Sequence, residues 1–290
     1  MTSATVLEST RTFHSDSSSK YFLANDATER HRLLKQHQAI VSFMHDQPIH
    51  APIADAPSKI LDLGCGVNAS MTLFLAEKFP SATIYGVDLS EIVDVEAPRN
   101  VTFIKGNIHS LIGQDPRLEP GSADYIYSRF MAAGVEDWLE HIKSISTLLA
   151  PGGFLELHEG IRAIWRDEID QEISRDWQWM RLIGADAVVW PEGDPTGLQF
   201  FQSLMKKAGL ADVAGKAYKL SPSDKPEAKL WSQYAAELFP TGWLAPIQRK
   251  LPGDANRERR KELEEELFTT LKPKEGVYFP AVAVWGRRAE

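Results

Sequence analysis

The chain predicts an α/β fold built on a mostly parallel sheet, and three observations predict it. Lys59 to Leu63 is a short apolar run ending in the turn Gly64-Cys65-Gly66, and Ser70 to Lys78 then carries Met71, Phe74 and Leu75 at helical spacing. Ile84, Tyr85 and Val87 start a second strand that closes on an acid, Asp88. Strand-like segments recur at Val101 to Lys105, Tyr125 to Ser128, Phe154 to Leu157, Ala211 to Leu220 and Val277 to Arg287, with helical stripes between them, so seven strands are expected.

The elements follow in chain order. Residues 1–20 are rich in Ser and Thr with little apolar content, and read as a disordered or flexible tail. Residues 21–50 read as a helical N-terminal cap. Asn25 or Asp26 caps a helix from about Ala27 to Met44, whose apolar face is Leu33, Leu34, Ile40, Val41 and Phe43. Residues 51–160 hold the ligand-binding α/β core. Within it Trp138, Leu139, Ile142, Ile145, Leu148 and Leu149 trace a helical stripe that packs on the sheet, ended by Ala150-Pro151-Gly152-Gly153. Residues 161–195 are aromatic and helical, with Trp165, Trp177, Trp179, Met180 and Trp190. Residues 196–290 complete the core with a helix from Thr196 to Ala208, the last two strands and a helical insertion. That insertion covers Ala228 to Phe239, a turn at Pro240-Thr241-Gly242-Trp243, and a charged helix from Asn256 to Leu271.

Two ligand classes suit the glycine turn. Gly64, Gly66 and Ala69 satisfy G-x-G-x-x-G/A, and Asp88 lies about 20 residues on, as in dinucleotide binders. Asp62 weighs the other way. A carboxylate at the end of the first strand repels a pyrophosphate, whereas S-adenosylmethionine carries an ammonium and a sulfonium. Arg129 and Phe130 lie just beyond the carboxyl end of the fourth strand, where open α/β sheets bind ligands. Arg129 suits either the carboxylate of such a cofactor or a structural salt bridge.

Composition narrows the partners. A hydrophobic content of 43% provides for a sizeable core. The net charge of −8 argues against a nucleic-acid surface, which is usually basic. A single cysteine, Cys65, excludes an internal disulfide framework and suits a reducing compartment; it reads as small filler beside the ligand. No run of about 18 apolar residues and no signal peptide is visible, so no membrane span and a cytoplasmic location are expected. His31, His37 and His45 do not share one helix face and have no completing Cys or acid set, so no metal site is expected.

The run Ile60-Leu61-Asp62-Leu63-Gly64-Cys65-Gly66 resembles the first motif of class I S-adenosylmethionine-dependent methyltransferases, and Gly86-Val87-Asp88-Leu89-Ser90 resembles their second. The resemblance implies a Rossmann-like seven-stranded sheet with helices on both faces, a helical N-terminal cap, and a substrate lid in the insertion after the fifth strand. A narrower likeness is to fungal LaeA-like secondary-metabolite methyltransferases. It rests on Leu23-Ala24-Asn25-Asp26 with Glu29, Arg32 and Gln36-His37, on Tyr125 to Phe130 followed by Asp137-Trp138, on Pro151-Gly152-Gly153 with Leu155-Glu156, and on Tyr278-Phe279-Pro280 with Gly286-Arg287. It covers nearly the whole chain after Lys20. Asn68, where a small residue is usual, departs from the pattern.

The resemblance implies S-adenosyl-L-methionine as cofactor, held by Asp62, Gly64, Cys65, Gly66, Asp88, Leu89, Asn107, Ile108, Ser128 and Arg129. Asn107-Ile108 stands where the class contacts adenine, and the amide oxygen of Asn107 accepts from an adenine amino group. Asp88 takes the ribose hydroxyls. His158, then Glu159, are the candidate bases at the end of the fifth strand. Tyr21, Phe22, Trp177, Met180 and Trp190 are the candidate substrate contacts. The implied function is methyl transfer to an oxygen or nitrogen of a small molecule, by a monomer or homodimer. The alternatives are a rearrangement without methyl transfer on the same fold, and a LaeA-like regulatory binding protein.

Overall fold

The computed structural model describes residues 11–160, 165–183, 193–223, 225–272, 274 and 276–290, and the statements below concern these. The strands are β1 (Lys59–Leu63), β2 (Thr83–Asp88), β3 (Val101–Lys105), β4 (Ala123–Arg129), β5 (Leu149–Gly160), β6 (Ala211–Leu220) and β7 (Phe279–Arg287). The helices are α1 (Ala27–Phe43), α2 (Ser70–Lys78), α3 (Ile108–Leu111), α4 (Trp138–Ser146), α5 (Gln178–Ile183), α6 (Leu198–Lys207), α7 (Lys229–Glu237), α8 (Thr241–Lys250) and α9 (Arg257–Thr270). One sheet takes the order β3-β2-β1-β4-β5-β7-β6. Strands β1 to β5 pair in parallel, and β7 pairs antiparallel with both β5 and β6. This is the Rossmann-like, mostly parallel sheet expected from the sequence. Its order reverses between β1 and β4, which opens a crevice at the carboxyl ends of the strands.

The strands read as near-continuous apolar runs because helices cover both faces. On one face Leu61, Leu63, Val87 and Ile126 meet Ile142 and Ile145 of α4 and Phe201 and Met205 of α6. On the other, Ile60, Ile84, Tyr125 and Tyr127 meet Met71 and Leu75 of α2. A third core joins the N-terminal cap to the C-terminal insertion. There Ile40 of α1, Trp179 of α5, Trp231 of α7, Ile247 of α8 and Leu267 of α9 pack with Tyr218, Leu220 and Phe279.

Asp26 caps α1, its Oδ1 accepting from Glu29 N at 3.0 Å. One turn on, Arg32 makes a bidentate pair with Glu29, at 3.0 and 2.6 Å, and both residues are buried. Arg32 Nη1 and Gln36 Nε2 both donate to the Tyr234 hydroxyl, which bolts α1 to α7. Breaking one partner of such a pair leaves a buried charge and costs on the order of 3–5 kcal/mol.

Three boundaries differ from the sequence reading. Residues 11–20, expected within a flexible tail, are tied down: Arg11 pairs with Asp26 at 2.5 Å, Asn25 N donates to Thr12 O at 2.8 Å, and Asn107 Nδ2 donates to Ser18 Oγ at 3.3 Å. The α4 stripe ends at Ser146, and Leu149 to Gly153 already belong to β5. A register shift against β4 between Ala123 and Tyr125 accommodates that start, with Gly152 at φ +79°. The turn expected after Pro240 is instead the first turn of α8.

Candidate functional site

The crevice deepens into a cavity of about 590 Å³. Its floor is the turn after β1, the end of β2, the β3–α3 junction and the end of β4, and α1 with residues 18–21 closes it. Gly64 sits at φ +74°, where a side chain is strained, and a Cβ there would lie 2.1 Å from Met131 Sδ, so Met131 packs directly over the glycine turn. Gly64 N and Cys65 N both donate to Val87 O, at 2.8 and 3.1 Å, which locks the turn to β2.

Three charged side chains face this space in fixed order. Asp88 Oδ2 accepts from Gly66 N at 2.9 Å, and its Oδ1 from Ser90 N at 2.8 Å. Burial raises its pKa and the two amide bonds oppose that rise. Each oxygen keeps a lone pair for a hydroxyl, so Asp88 fits a ribose diol. Asp62 is buried, with Oδ2 accepting from the Thr72 hydroxyl at 2.6 Å. Burial pushes its pKa up to about 6, against the pull of Thr72 and Arg129, so a cation beside it is favoured. Arg129 donates through Nη2 to His37 Nδ1 at 3.0 Å, while its Nη1 is buried with no hydrogen-bond partner among the described residues. Burial, with Arg129 adding to it, pushes the His37 pKa down to about 3, so His37 is neutral and accepts. The orphaned Nη1 fits a carboxylate. Diol, ammonium and carboxylate acceptors in one cavity match S-adenosylmethionine, not a pyrophosphate.

Most of the sequence-predicted cofactor residues meet here: Asp62, Gly64, Cys65, Gly66, Asp88, Leu89, Asn107, Ile108 and Arg129 all line the cavity. The Cys65 thiol is buried, and burial raises its pKa well above the ordinary range, which suits a filler. Asn107 caps α3, its Oδ1 accepting from His109 N at 3.0 Å, so the oxygen expected for adenine is partly committed. Ser128 is a correction. It is fully buried in the sheet and does not line the cavity, because it alternates with Tyr127 and Arg129 along β4.

His158 is also a correction. It is buried, and both ring nitrogens are taken: Nδ1 meets the Tyr127 hydroxyl at 3.1 Å, and Nε2 meets Glu156 Oε1 at 2.6 Å. Glu156 only accepts, so Nε2 carries the proton and Nδ1 accepts from Tyr127. The ring lines neither cavity and has no nitrogen left for a further partner. Glu156 also takes His50 Nδ1 at 3.1 Å, Ala51 N at 2.9 Å and the Tyr125 hydroxyl at 2.8 Å. Burial opposes its charge, but these donors, His158 foremost, hold its pKa down to about 2. His50, Glu156 and His158 have the composition of a metal-ligand set. Their donor and acceptor atoms close on one another and on Tyr127 and Tyr218, so hydrogen bonds account for the cluster.

A second cavity of about 110 Å³ adjoins the first, sharing Leu23, Arg32, Gln36 and Phe130. Aromatic rings and Glu159 line it. Tyr21 faces the first cavity and Phe22 the second. Trp177 and Met180 line neither; they pack with Trp179 in the cap core, which corrects their role as substrate contacts. Trp190 lies outside the described residues. The sequence reading missed Tyr127, Met131, Arg32 and Gln36 as cavity residues. Strand alternation from Arg129 would have found Tyr127, and helix periodicity from Arg32 would have found Gln36.

A mostly parallel sheet with this cavity at its switch point has the architecture of the class I methyltransferases. Residues 30–214 match the family model described as Methyltransferase domain. The chain belongs to that methyltransferase family, whose methyl donor is S-adenosylmethionine. Methyltransferase pytC of Aspergillus terreus is 30% identical over 159 residues, covering 54% of this chain and 47% of the relative. Secondary metabolism regulator LAE1 of Cochliobolus heterostrophus is 30% identical over 157 residues, covering 52% of this chain and 49% of the relative. The chain spans about half the length of these curated relatives. A phosphoethanolamine N-methyltransferase 2 of Haemonchus contortus, solved with S-adenosyl-L-methionine, shares the fold at a TM-score of 0.50 and 14% identity, covering 88% of this chain and 53% of that one. No helix among the described residues is long and apolar enough to cross a membrane.

Proposed function

We propose that the chain transfers a methyl group from S-adenosylmethionine to an oxygen or nitrogen of a small, largely apolar acceptor, a secondary metabolite by its likeness to the secondary metabolism regulator LAE1. The observation that carries this reading is the set Asp88, Asp62 and Arg129 around one cavity, with Arg129 Nη1 buried and unpartnered. The sulfonium supplies an activated methyl group. The chain's own residues do the rest. Asp88 holds the ribose diol, Asp62 and Arg129 take the ammonium and carboxylate, and the glycine turn lets backbone approach closely. The ring-lined second cavity places the acceptor and excludes water, so proximity supplies much of the rate.

Calorimetry with S-adenosylmethionine tests this. Asp88→Asn removes the charge from two hydrogen bonds to the diol and should weaken binding by about 1.5–3 kcal/mol, tenfold or more. Equal affinity in the variant, or tighter binding of a nicotinamide dinucleotide by the wild type, would refute the reading.

A further inference from the structure

The second cavity is walled mainly by apolar side chains, with one acid, Glu159, and with Arg32 and Gln36 where it adjoins the first cavity. Phe22, Phe130, Trp231, Phe239, Trp243 and Phe279 supply its rings. The Phe239 and Phe279 centroids lie 5.6 Å apart and those of Phe22 and Trp243 6.2 Å apart, so ring faces and edges enclose a small space. Glu159, at the end of β5, is 1% exposed. Its Oε1 accepts from Met131 N at 2.8 Å, and its Oε2 has no hydrogen-bond partner among the described residues. The Ala132 amide acts on the carboxylate's charge without bonding Oε2.

Arg32 also lines this cavity but does not neutralise Glu159, because its Nε, Nη1 and Nη2 are taken by Glu29 and Tyr234. A buried carboxylate oxygen without a donor is costly. Ring faces attract a cation. Both demands are met by one kind of occupant. Glu159 is also close to the methyl donor's cavity: the residue whose amide it holds, Met131, presses its sulfur against Gly64.

We propose that this cavity receives an amine-bearing acceptor as its ammonium, with Glu159 as the group that takes its proton. This rests on the methyl-transfer reading and narrows the acceptor atom to nitrogen. The ammonium binds the ionised form of Glu159, the proton that burial keeps on the free carboxyl passing to solvent, and donates to Oε2. One N–H bond then breaks and an O–H bond forms on the carboxylate, leaving a neutral amine. Its nitrogen lone pair forms the N–C bond to the methyl carbon as the S–C bond breaks, with that bonding pair going to sulfur. The positive charge moves from sulfur to the methylated ammonium, which the rings hold. The proton on Glu159 returns to solvent after product leaves. A carboxylate acceptor meets like charge here, and an alcohol forgoes the attraction of the rings.

Calorimetry on protein saturated with S-adenosylhomocysteine tests the proposal, with 2-phenylethylamine and its isostere 2-phenylethanol as probes. The amine should bind at least about tenfold more tightly than the alcohol. Glu159→Gln, whose amide oxygen still accepts from Met131 N, should abolish that preference and leave S-adenosylhomocysteine affinity within about twofold. Trp243→Leu should weaken the amine more than the alcohol, which keeps the test decisive if Glu159→Gln does not fold. Equal binding of the two probes by the wild type, or a preference that survives Glu159→Gln, overturns the proposal. Failure of the wild type to bind S-adenosylhomocysteine overturns the methyl-transfer reading itself. Cofactor binding without amine preference overturns only the nitrogen assignment.

Discussion

Glu159→Gln should make the protein more stable at alkaline pH. Burial pushes the Glu159 carboxyl from its ordinary value of 4.5 up to about 8, and the amides of Met131 and Ala132 offset this only in part. Between those two values the folded chain keeps a proton that the unfolded chain has released. Stability therefore falls as pH rises through that window. The shift is about 3.5 units, and at about 1.36 kcal/mol per unit it corresponds to at most about 5 kcal/mol lost once the pH exceeds 8. Glutamine does not titrate, so the variant escapes the loss. Urea midpoints of both proteins at pH 5 and pH 8.5 measure the difference, which should grow in the variant's favour by up to about 4 kcal/mol. Asp62, with a pKa raised to about 6 by burial, titrates in both proteins and cancels. Glu156, held at about 2, stays ionised across the range. Parallel pH profiles would refute the reasoning, since they would mean that Glu159 titrates as an exposed glutamate does.

Glu156→Gln should cost about 3–5 kcal/mol in urea unfolding, because an amide nitrogen then confronts His50 or His158 N–H groups that now meet a carboxylate; a loss under about 1 kcal/mol would mean that the cluster is not load-sharing as drawn. Arg129→Gln should weaken S-adenosylmethionine about tenfold or more while sparing 5′-methylthioadenosine, which has no carboxylate. An equal loss for both ligands would show that Arg129 acts only through the packing of α1.

The β1–α2–β2 unit was legible because local rules write it. Lys59–Leu63 is apolar, Gly64 and Gly66 take positive φ, and Asp88 ends the next strand. Asp62, Gly64, Cys65, Gly66, Asp88 and Leu89 sit inside that unit, so locating the turn located them, and Asn107, Ile108 and Arg129 follow at the carboxyl ends of β3 and β4. Ser128 was the exception, and strand alternation explains it: Asp62 and Arg129 reach the cavity, and the residue next to Arg129 points the other way. The aromatic insertion failed for a different reason. Helical spacing marks which residues share a face but not whether that face meets a ligand or a core, and Trp177 and Met180 met Trp179.

The base is the most instructive case. In Leu155-Glu156-Leu157-His158-Glu159 every side chain is buried or nearly so, because β5 lies between β4 and β7 under helices on both faces. A strand polar on one face only would have announced its direction; this one does not. Alternation still places Glu156 and His158 together and Glu159 apart from them. The pair meets two tyrosines, two backbone amides and the His50 ring and is satisfied, which makes it a structural cluster. Glu159 turns away from them and keeps an oxygen without a donor. An imidazole has the ordinary pKa of a base, and that favoured His158 on chemistry alone. Hydrogen-bond accounting reverses the order, because a group with every polar atom taken has nothing left to give an acceptor. Burial then does for Glu159 what composition seemed to offer through His158, raising a carboxylate to a pKa at which it takes a proton near neutrality.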